Sequence, residues 1–270
     1  MSAAEFPAHP SIPPMLDPKP DALYSPLLTR HGFRHAFFTR RGGFSKAPYA
    51  SLNFSFSVGD DASDVDRNLR AAAHSLGVSV SRLYFLSQVH GRHCVELTAD
   101  ADQRKVVFTE GDALVSGETN VGCGVRTADC IPVLVADLVT GRVGAAHAGW
   151  RGLVAGVLEQ TVQCVAKVGA NHRLIAAVGP HIETAAFEVS EDVATELRNA
   201  SPGVDPVVRG AEKPHVNLRR VAEAQLLRLG LQPENIDHVA GCTFTDATRF
   251  FSFRRDGKAS GRHLSVIVAR

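Results

Sequence analysis

The hydrophobic positions of this 270-residue chain follow two different periods, and together these predict strands mixed with helices. In Ser51–Val58 every second residue is apolar, which predicts a half-buried strand. From Leu153 onward the apolar residues recur at helical spacing, which predicts one amphipathic helix with a broad apolar face. Short continuous apolar runs, such as Leu174–Val178, predict fully buried strands.

The same reasoning predicts a series of further elements along the chain. Strands are predicted at Phe33–Thr39, Leu83–Val89, His93–Leu97, Ala113–Val115, Val121–Arg126, Ile131–Leu138, Arg142–His147, Phe250–Phe253 and His263–Val268. Helices are predicted at Asp60–Leu76, Ser190–Asn199 and Asn217–Leu229. Leu83–Val89 and His93–Leu97 are expected to pair around Gly91, and Ser201–Lys213 is expected to be a surface loop. This mixture predicts one α/β domain with mixed sheets.

The first residues of the chain differ in composition from the rest. Met1–Pro26 is rich in proline and lacks a periodic apolar pattern, which predicts an extended arm. We therefore divide the chain into a proline-rich N-terminal arm, residues 1–30, and a single catalytic α/β domain, residues 31–270. No chemistry is expected of the arm.

Composition and charge exclude several classes of protein. Hydrophobic residues make up 44% of the chain and charged residues 21%, values typical of a soluble globular protein. A net charge of +1 predicts neither nucleic acid nor a membrane surface as a partner. The N-terminus lacks the basic start and apolar centre of a secretory signal. The five cysteines form no CxxC pair, which predicts a cytoplasmic protein.

The candidate chemistry comes from residues at the ends of predicted strands. Cys130 precedes one strand, His147 ends another, and His90 lies at a third strand-to-turn junction. One thiolate and two imidazoles suit a zinc ion with one coordination position left open. The spacing matches no short zinc motif, so Cys130 as a buried structural cysteine and His147 as a core histidine remain open from the residues alone.

A second candidate feature is the start of the helix after Trp150. Free backbone N–H groups and the positive end of the helix dipole favour an anion there, and phosphate is the natural guest. Arg151 could add a charge-assisted contact. Pairing of Arg151 with an acid such as Asp112 or Asp129 is the equally open alternative.

A set of short motifs in one order makes the chain resemble a known family. The family is variously called multicopper-oxidase-like laccase-domain proteins, zinc-type purine nucleoside phosphorylases and peptidoglycan editing factors. The resemblance runs from about Phe33 to the C-terminus, outside the arm. The matching residues are Phe38–Gly43, Ser51–Asn53, Gln88–Gly91, Glu110–Leu114, Thr127–Pro132, Ala146–Gly152, Cys242–Thr243, Phe250–Gly257 and Gly261–Arg262.

The resemblance assigns roles to several residues. It implies that His90, Cys130 and His147 are the zinc ligands and the catalytic centre, in a cleft of a layered α/β sandwich similar in architecture to cysteine hydrolases. It also implies two further groups of residues around that centre. The candidate substrate contacts are Arg40, Asn53 and Arg151. The groups expected to orient the metal ligands are Gln88, Asp112 and Asp129.

The activity implied by the resemblance is zinc-dependent purine nucleoside phosphorolysis with adenosine deaminase activity. The expected substrates are phosphate and the small molecules adenosine, inosine, guanosine and methylthioadenosine. Zinc with an open position accounts for the deamination, whereas its part in phosphorolysis does not follow from the residues. The alternatives are an amide hydrolase of cell-wall peptide precursors, a copper polyphenol oxidase, and a metal-free hydrolase using Cys130 and His147.

Overall fold

Two mixed β-sheets stack face to face, with helices on both outer faces, in a computed structural model that describes residues 18–167, 171–209 and 212–270. The strands are β1 (Ala22–Leu23), β2 (His35–Phe38), β3 (Leu83–Tyr84), β4 (Cys94–Leu97), β5 (Ala113–Ser116), β6 (Gly122–Thr127), β7 (Ile131–Asp137), β8 (Val143–Ala148), β9 (Leu174–Val178), β10 (Val207–Arg209), β11 (Pro214–Val216), β12 (Ile236–His238) and β13 (His263–Val268). The helices are α1 (Pro26–Arg30), α2 (Ala62–Ser75), α3 (Gln103–Val106), α4 (Trp150–Ala155), α5 (Val157–Val165), α6 (Glu191–Asn199), α7 (Leu218–Arg228) and α8 (Phe253–Asp256).

Both large sheets combine parallel and antiparallel neighbours. The five-stranded sheet has the order β1-β2-β13-β6-β3, in which only β3 runs parallel to its neighbour. The six-stranded sheet has the order β12-β9-β7-β8-β5-β4, with parallel pairs at its two edges. Strands β10 and β11 form a separate antiparallel pair. The predicted mixed-sheet α/β class is therefore confirmed.

The alternation of side chains along β7 shows how the layers are stacked. Ile131, Val133 and Val135 pack on the outer face of the six-stranded sheet, against α5, α6 and α7. Leu134 and Ala136 point the other way, into a core shared with the five-stranded sheet. Successive side chains of a strand face opposite sides, so one apolar run serves two cores. A third core lies between α2 and the other sheet, which gives the layer order α-β-β-α.

The helix predicted from Leu153 onward is in fact two helices. Helix α4 begins at Trp150 and ends at Ala155, and α5 begins at Val157. Gly156 separates them with φ of 88°, in the left-handed region that glycine adopts without steric cost. The apolar periodicity passes through this break, because both helices bury the same face against the six-stranded sheet.

The predicted strand Ser51–Val58 is wrong. Residues 51–55 have no regular structure and Phe56–Val58 is a single 3₁₀ turn, although Leu52 and Phe54 are fully buried. The Asn53 side chain accepts a hydrogen bond from the Ser55 backbone N–H, which competes with strand pairing. Here the alternating pattern correctly indicates which side chains are buried, but the segment forms no hydrogen bonds of a β-sheet.

The predicted pairing of Leu83–Val89 with His93–Leu97 is also wrong. Strand β3 pairs with β6 in the five-stranded sheet, whereas β4 pairs with β5 in the six-stranded sheet. The segment around Gly91 is thus a crossover between two sheets. Local apolar runs do not reveal this, because a hairpin and a crossover have the same pattern.

Two smaller corrections concern the C-terminal half. Phe250–Phe253 is not a strand: Ser252 caps α8, its hydroxyl accepting from the Arg255 N–H. The predicted loop Ser201–Lys213 contains strand β10, which pairs with β11 through Val207 and Val216. In both places short apolar runs and turn residues gave ambiguous signals.

The predicted arm overlaps the folded body. Residues 1–17 lie outside the described residues, but β1 pairs with β2 and α1 buries Leu27 and Leu28. The domain boundary placed at residue 30 stays a prediction. Among the described helices none is long and apolar enough to cross a bilayer.

Candidate metal centre

The three candidate ligands meet at one end of the two-sheet sandwich. Cys130 lies in the crossover from β6 to β7, directly before the first residue of β7. His147 is the second-last residue of β8 and pairs with Pro132 of the antiparallel neighbour β7. His90 lies in the crossover from β3 to β4. The register therefore brings residues that are far apart in sequence to the same edge.

The side chains of His90, Cys130 and His147 converge closely. Their ligand atoms all lie within 4.8 Å of one another. The Cys130 Sγ is 3.8 Å from the His90 Nε2, and the two imidazole centroids are 4.7 Å apart. His147 is buried, whereas His90 is exposed, so the cluster opens to solvent on one side.

One carboxylate orients both histidines. Asp112 Oδ1 accepts hydrogen bonds from His147 Nδ1 at 2.8 Å and from the His90 backbone N–H at 2.9 Å. Its Oδ2 accepts from the N–H groups of Val89 and Gly91. Because a carboxylate only accepts, His147 carries its proton on Nδ1 and presents Nε2 to the cluster. Asp112 therefore has the contacts expected of a ligand-orienting group.

The backbone is strained at the candidate ligand His90 and at Asp129, the residue before Cys130. His90 has φ of 60° and Asp129, next to Cys130, has φ of 95°, both unusual for residues other than glycine. The Asp129 carboxylate accepts from the Thr243 hydroxyl at 2.7 Å and from the Arg254 N–H at 2.6 Å. Thr243 and the first turn of α8 thus hold the Cys130 crossover in place.

Gly149 leaves room for the cluster. A Cβ atom at this position would lie 2.9 Å from both the Cys130 Sγ and the His90 Cδ2. Contacts this short are not tolerated between carbon and these atoms, so only glycine permits the observed approach. The small residues around His147 in the sequence reflect this packing.

The electrostatics favour an ionised thiol. Burial raises the pKa of Cys130, but the facing His147 and His90 rings outweigh burial and lower it. Burial lowers the pKa of His147, and the opposing charges of Cys130 and Asp112 raise it overall. A thiolate is the form of cysteine that binds metal ions.

The residues present fit a metal ion. Ligands about 2.0–2.3 Å from one zinc ion must lie within about 4.5 Å of each other, close to the spacing seen here. The donor set of one sulfur and two nitrogens suits zinc and also copper. In the described parts of the chain, this is the one group of at least three His, Cys, Asp or Glu side chains that converges in this way.

The three predicted substrate contacts have different surroundings. Arg40 is half-buried, its Nε and Nη1 donating to the carbonyls of Ala50 and Ala247. Arg151 is exposed and stacks on the Trp150 ring at 4.3 Å. It forms no ion pair within 4.0 Å with a described carboxylate. The alternative that Arg151 pairs with Asp112 or Asp129 is therefore not observed, and both carboxylates bond to other groups. Contact of either arginine with substrate stays a prediction.

Asn53 is fully buried and engaged by the protein itself. Its Nδ2 donates to the Asp60 carboxylate at 2.8 Å, and its Oδ1 accepts from the Arg262 backbone N–H at 2.9 Å. A role as substrate contact stays a prediction. The observed contacts are those of a residue that fixes the segment carrying Arg262.

Gln88 was expected to orient a metal ligand, but its side chain bonds elsewhere. Its Nε2 donates to the Arg126 carbonyl and its Oε1 accepts from the Arg126 N–H, both at 2.7 Å. The amide thus continues the ladder of β6 and fixes Arg126. No sequence pattern singles out Arg126, whereas Arg262 lies in a family motif but was assigned no role.

Comparison with known proteins identifies the group to which the chain is similar. A family model described as multi-copper polyphenol oxidoreductase laccase matches residues 34–270. All three candidate metal ligands fall within that range. The matched range covers most of the chain and excludes the whole of the predicted arm, residues 1–30.

Individual relatives agree with that match. The chain is 39% identical over 232 residues to "Purine nucleoside phosphorylase YfiH" of Escherichia coli, covering 85% of this chain and 90% of the relative. It is 39% identical over 234 residues to a "Purine nucleoside phosphorylase" of Deinococcus radiodurans, covering 86% and 88%. The crystal structure of YlmD from Geobacillus stearothermophilus superposes with a TM-score of 0.82 at 31% identity, covering 91% and 94% of the two chains.

Proposed function

This chain belongs to the multi-copper polyphenol oxidoreductase laccase family, and we propose that within it the chain is a zinc-dependent purine nucleoside phosphorylase that also deaminates adenosine. The proposed substrates are phosphate with adenosine, inosine, guanosine or methylthioadenosine. The phosphorylase names of relatives 38–39% identical to the chain support this class of activity. The convergence of His90, Cys130 and His147 is the observation that carries it.

His90, Cys130 and His147 would hold the zinc ion. Zinc supplies Lewis-acid chemistry, which polarises an oxygen atom or activates water for hydrolysis. The protein's own contribution is to fix the ligands before the metal arrives: Asp112 sets the tautomer of His147 and the conformation of the His90 loop. Because His90 is exposed, a nucleoside can reach the cluster from solvent.

Phosphorolysis exchanges one bond at the sugar. A phosphate oxygen forms a bond to C1′ of the ribose while the bond from C1′ to the purine nitrogen breaks. The proton of hydrogen phosphate ends on the released base, so the products are ribose 1-phosphate and a neutral purine. Positively charged side chains near the cluster stabilise the phosphate in this reaction.

The proposal is tested by incubating purified, zinc-loaded protein with inosine or adenosine, with and without phosphate, and separating the products. We expect hypoxanthine and ribose 1-phosphate from inosine only when phosphate is present. From adenosine we expect adenine with phosphate and inosine without it. Zinc-loaded protein that releases neither free base nor inosine contradicts the proposal.

The alternatives are separated in the same experiment. A cell-wall peptide precursor assayed beside adenosine tests the amide hydrolase. Metal analysis of active protein tests the copper polyphenol oxidase suggested by the family description, because the described chain offers a single converging ligand group. Activity that survives chelation would instead indicate a metal-free hydrolase using Cys130 and His147.

A further inference from the structure

Among the described residues, two arginines beside the candidate metal centre form no ion pair with a carboxylate. Arg126 is the second-last residue of β6, and Arg262 directly precedes β13, the antiparallel neighbour of β6. Arg126 lies opposite Leu264, so Arg262, two residues earlier, projects from the same face of the sheet. Among the described residues neither guanidinium has a carboxylate within 4.0 Å.

Both side chains are half-buried and held by the protein. The Arg126 guanidinium lies 4.6 Å from the Phe85 ring centroid, and its Nη2 donates to the Leu86 carbonyl. The Arg262 guanidinium lies 5.5 Å from the Phe253 ring centroid, and its Nη1 donates to two carbonyls of its own loop. Carbonyl and aromatic contacts orient a guanidinium without neutralising it.

The backbone of each arginine is fixed by a polar side chain. The Gln88 amide forms two 2.7 Å hydrogen bonds with the backbone of Arg126. The fully buried Asn53 accepts a 2.9 Å hydrogen bond from the Arg262 N–H. Both residues were expected near the site from sequence, and both act on an arginine. The pair is therefore preorganised.

The charges of the two arginines act on each other, and Arg262 also interacts with the charge of the candidate ligand Cys130. Burial, together with the charge of the neighbouring Arg262, lowers the pKa of Arg126 to about 10. Burial also lowers the pKa of Arg262, whereas the charges of Cys130 and Asp129 raise it. Two like charges partly withdrawn from water, with no carboxylate in direct contact, cost free energy that a bound anion recovers. Such pairs favour phosphate, which accepts two guanidinium forks at once.

We propose that Arg126 and Arg262 form a phosphate subsite beside the His90–Cys130–His147 cluster. The assignment rests on the proposed phosphorylase activity, and it places the attacking phosphate at these side chains instead of at the start of α4. The same subsite holds the phosphate group of ribose 1-phosphate after the bond to C1′ has formed. Inorganic phosphate is the occupant, in preference to the phosphate group of a nucleotide.

Binding is measured first, because it does not depend on turnover. Inorganic phosphate is titrated into zinc-loaded wild-type protein and into Arg126→Gln and Arg262→Gln, with calorimetry as the readout. We expect each variant to bind phosphate at least about tenfold more weakly, since each loses a charge-assisted contact. Arg70→Gln is the matched control: this exposed arginine pairs with Asp66 on α2, and its loss should leave phosphate binding unchanged.

Kinetics with inosine then locate the effect. Arg262→Gln and Arg126→Gln should raise the KM for phosphate at least about tenfold and leave the KM for inosine within about twofold. Phosphate-independent deamination of adenosine should persist in both variants, which also shows that they are folded. Arg262→Lys keeps the charge but lacks the fork, and should recover part of the affinity.

Several outcomes would overturn the subsite. Unchanged phosphate affinity in both glutamine variants would do so, as would a larger loss in Arg151→Gln, which would place the anion at the α4 start. Tight binding of inosine 5′-monophosphate without binding of inorganic phosphate would assign the pair to a nucleotide substrate instead. Wild-type protein that binds phosphate through these arginines but cleaves no nucleoside would leave the subsite intact and contradict only the proposed activity.

Discussion

The Asp112 carboxylate accepts a hydrogen bond from the imidazole of the candidate ligand His147, with 2.8 Å between Oδ1 and Nδ1. Both side chains are buried, and the backbone N–H of His147 also donates to the Asp112 carbonyl at 2.7 Å. The same carboxylate accepts from the backbone of the His90 loop. One residue therefore sets the position of two ligands.

We expect Asp112→Asn to weaken zinc binding about 10- to 100-fold, because groups that orient metal-bound histidines have effects of this size. An amide presents one acceptor where the carboxylate presents two, so His147 and the His90 loop cannot both be held. Competition with a chromogenic chelator measures the affinity. An unchanged affinity would show that Asp112 serves folding alone.

Replacing Cys130 with alanine should remove the bound metal and the activity together, because the thiolate is one of three proposed ligands. Metal content per chain and product formation from inosine are measured on the same sample. Cys164→Ala is the matched control, since this half-buried thiol lies on α5, away from the cluster. Retention of full activity in Cys130→Ala would contradict the proposed centre.

Chelation should abolish activity reversibly. Removing zinc from the wild-type protein takes away the Lewis acid but leaves Cys130 and His147 in place, so a metal-free hydrolase would survive the treatment. Adding zinc back should restore the rate with inosine. Restoration by copper and not by zinc would reassign the metal.

Gly149→Ala should weaken zinc binding more than it lowers the stability of the fold. The new methyl group would lie 2.9 Å from the Cys130 Sγ and the His90 Cδ2, so the ligands must separate. Gly203→Ala is the comparison. Gly203 has φ of 76°, but a Cβ atom there would meet no atom within 4 Å. This substitution should therefore cost about 1 kcal/mol of backbone strain without affecting metal affinity. Thermal unfolding and chelator competition distinguish the two.

Acid should destabilise the fold through His263. Burial lowers the pKa of this histidine to about 3, and its unprotonated Nε2 accepts a 2.9 Å hydrogen bond from the Phe251 N–H. In the unfolded chain the His263 imidazole binds a proton below pH of about 6.5, whereas in the folded chain it stays unprotonated until pH of about 3. Stability is therefore full above this pH and declines as the pH falls toward 3, by about 2 kcal/mol at pH of about 5.

Denaturant unfolding of the metal-free protein between pH of about 7 and 4 measures that decline. His263→Gln can keep an acceptor near Phe251 but cannot titrate, so its stability should vary less with pH than that of the wild type. Parallel curves for the two proteins would show that other groups, such as the buried His181, cause the dependence.

The sequence predicts the strands that run through the core and fails where strands change partners. The bounds predicted for the strands Ile131–Leu138 and Arg142–His147 are correct to within a residue or two. Two continuous apolar runs joined by a short turn predict a hairpin of two buried strands. Leu83–Val89 was paired wrongly, since nothing local distinguishes a hairpin from a crossover. Long-range register decides which sheet a strand joins, and no short pattern encodes it.

The candidate site shows the same division. The residue types and the family resemblance were sufficient to propose His90, Cys130 and His147, whose convergence the structure displays. Arg126 and Arg262 were not proposed, because an arginine in or beside a strand is normally a solvated charge. Only the pairing of β6 with β13 puts the two side chains on one face.

The crossovers that carry His90 and Cys130 determine when the metal can be captured during folding. Each leads from the five-stranded sheet into the six-stranded sheet, and the two ligands are separated by 40 residues. A zinc finger draws its ligands from adjacent turns and can recruit metal while most of the chain is unfolded. Here the ligands come from crossovers between two packed sheets, so we expect metal uptake to follow folding and to report its completion.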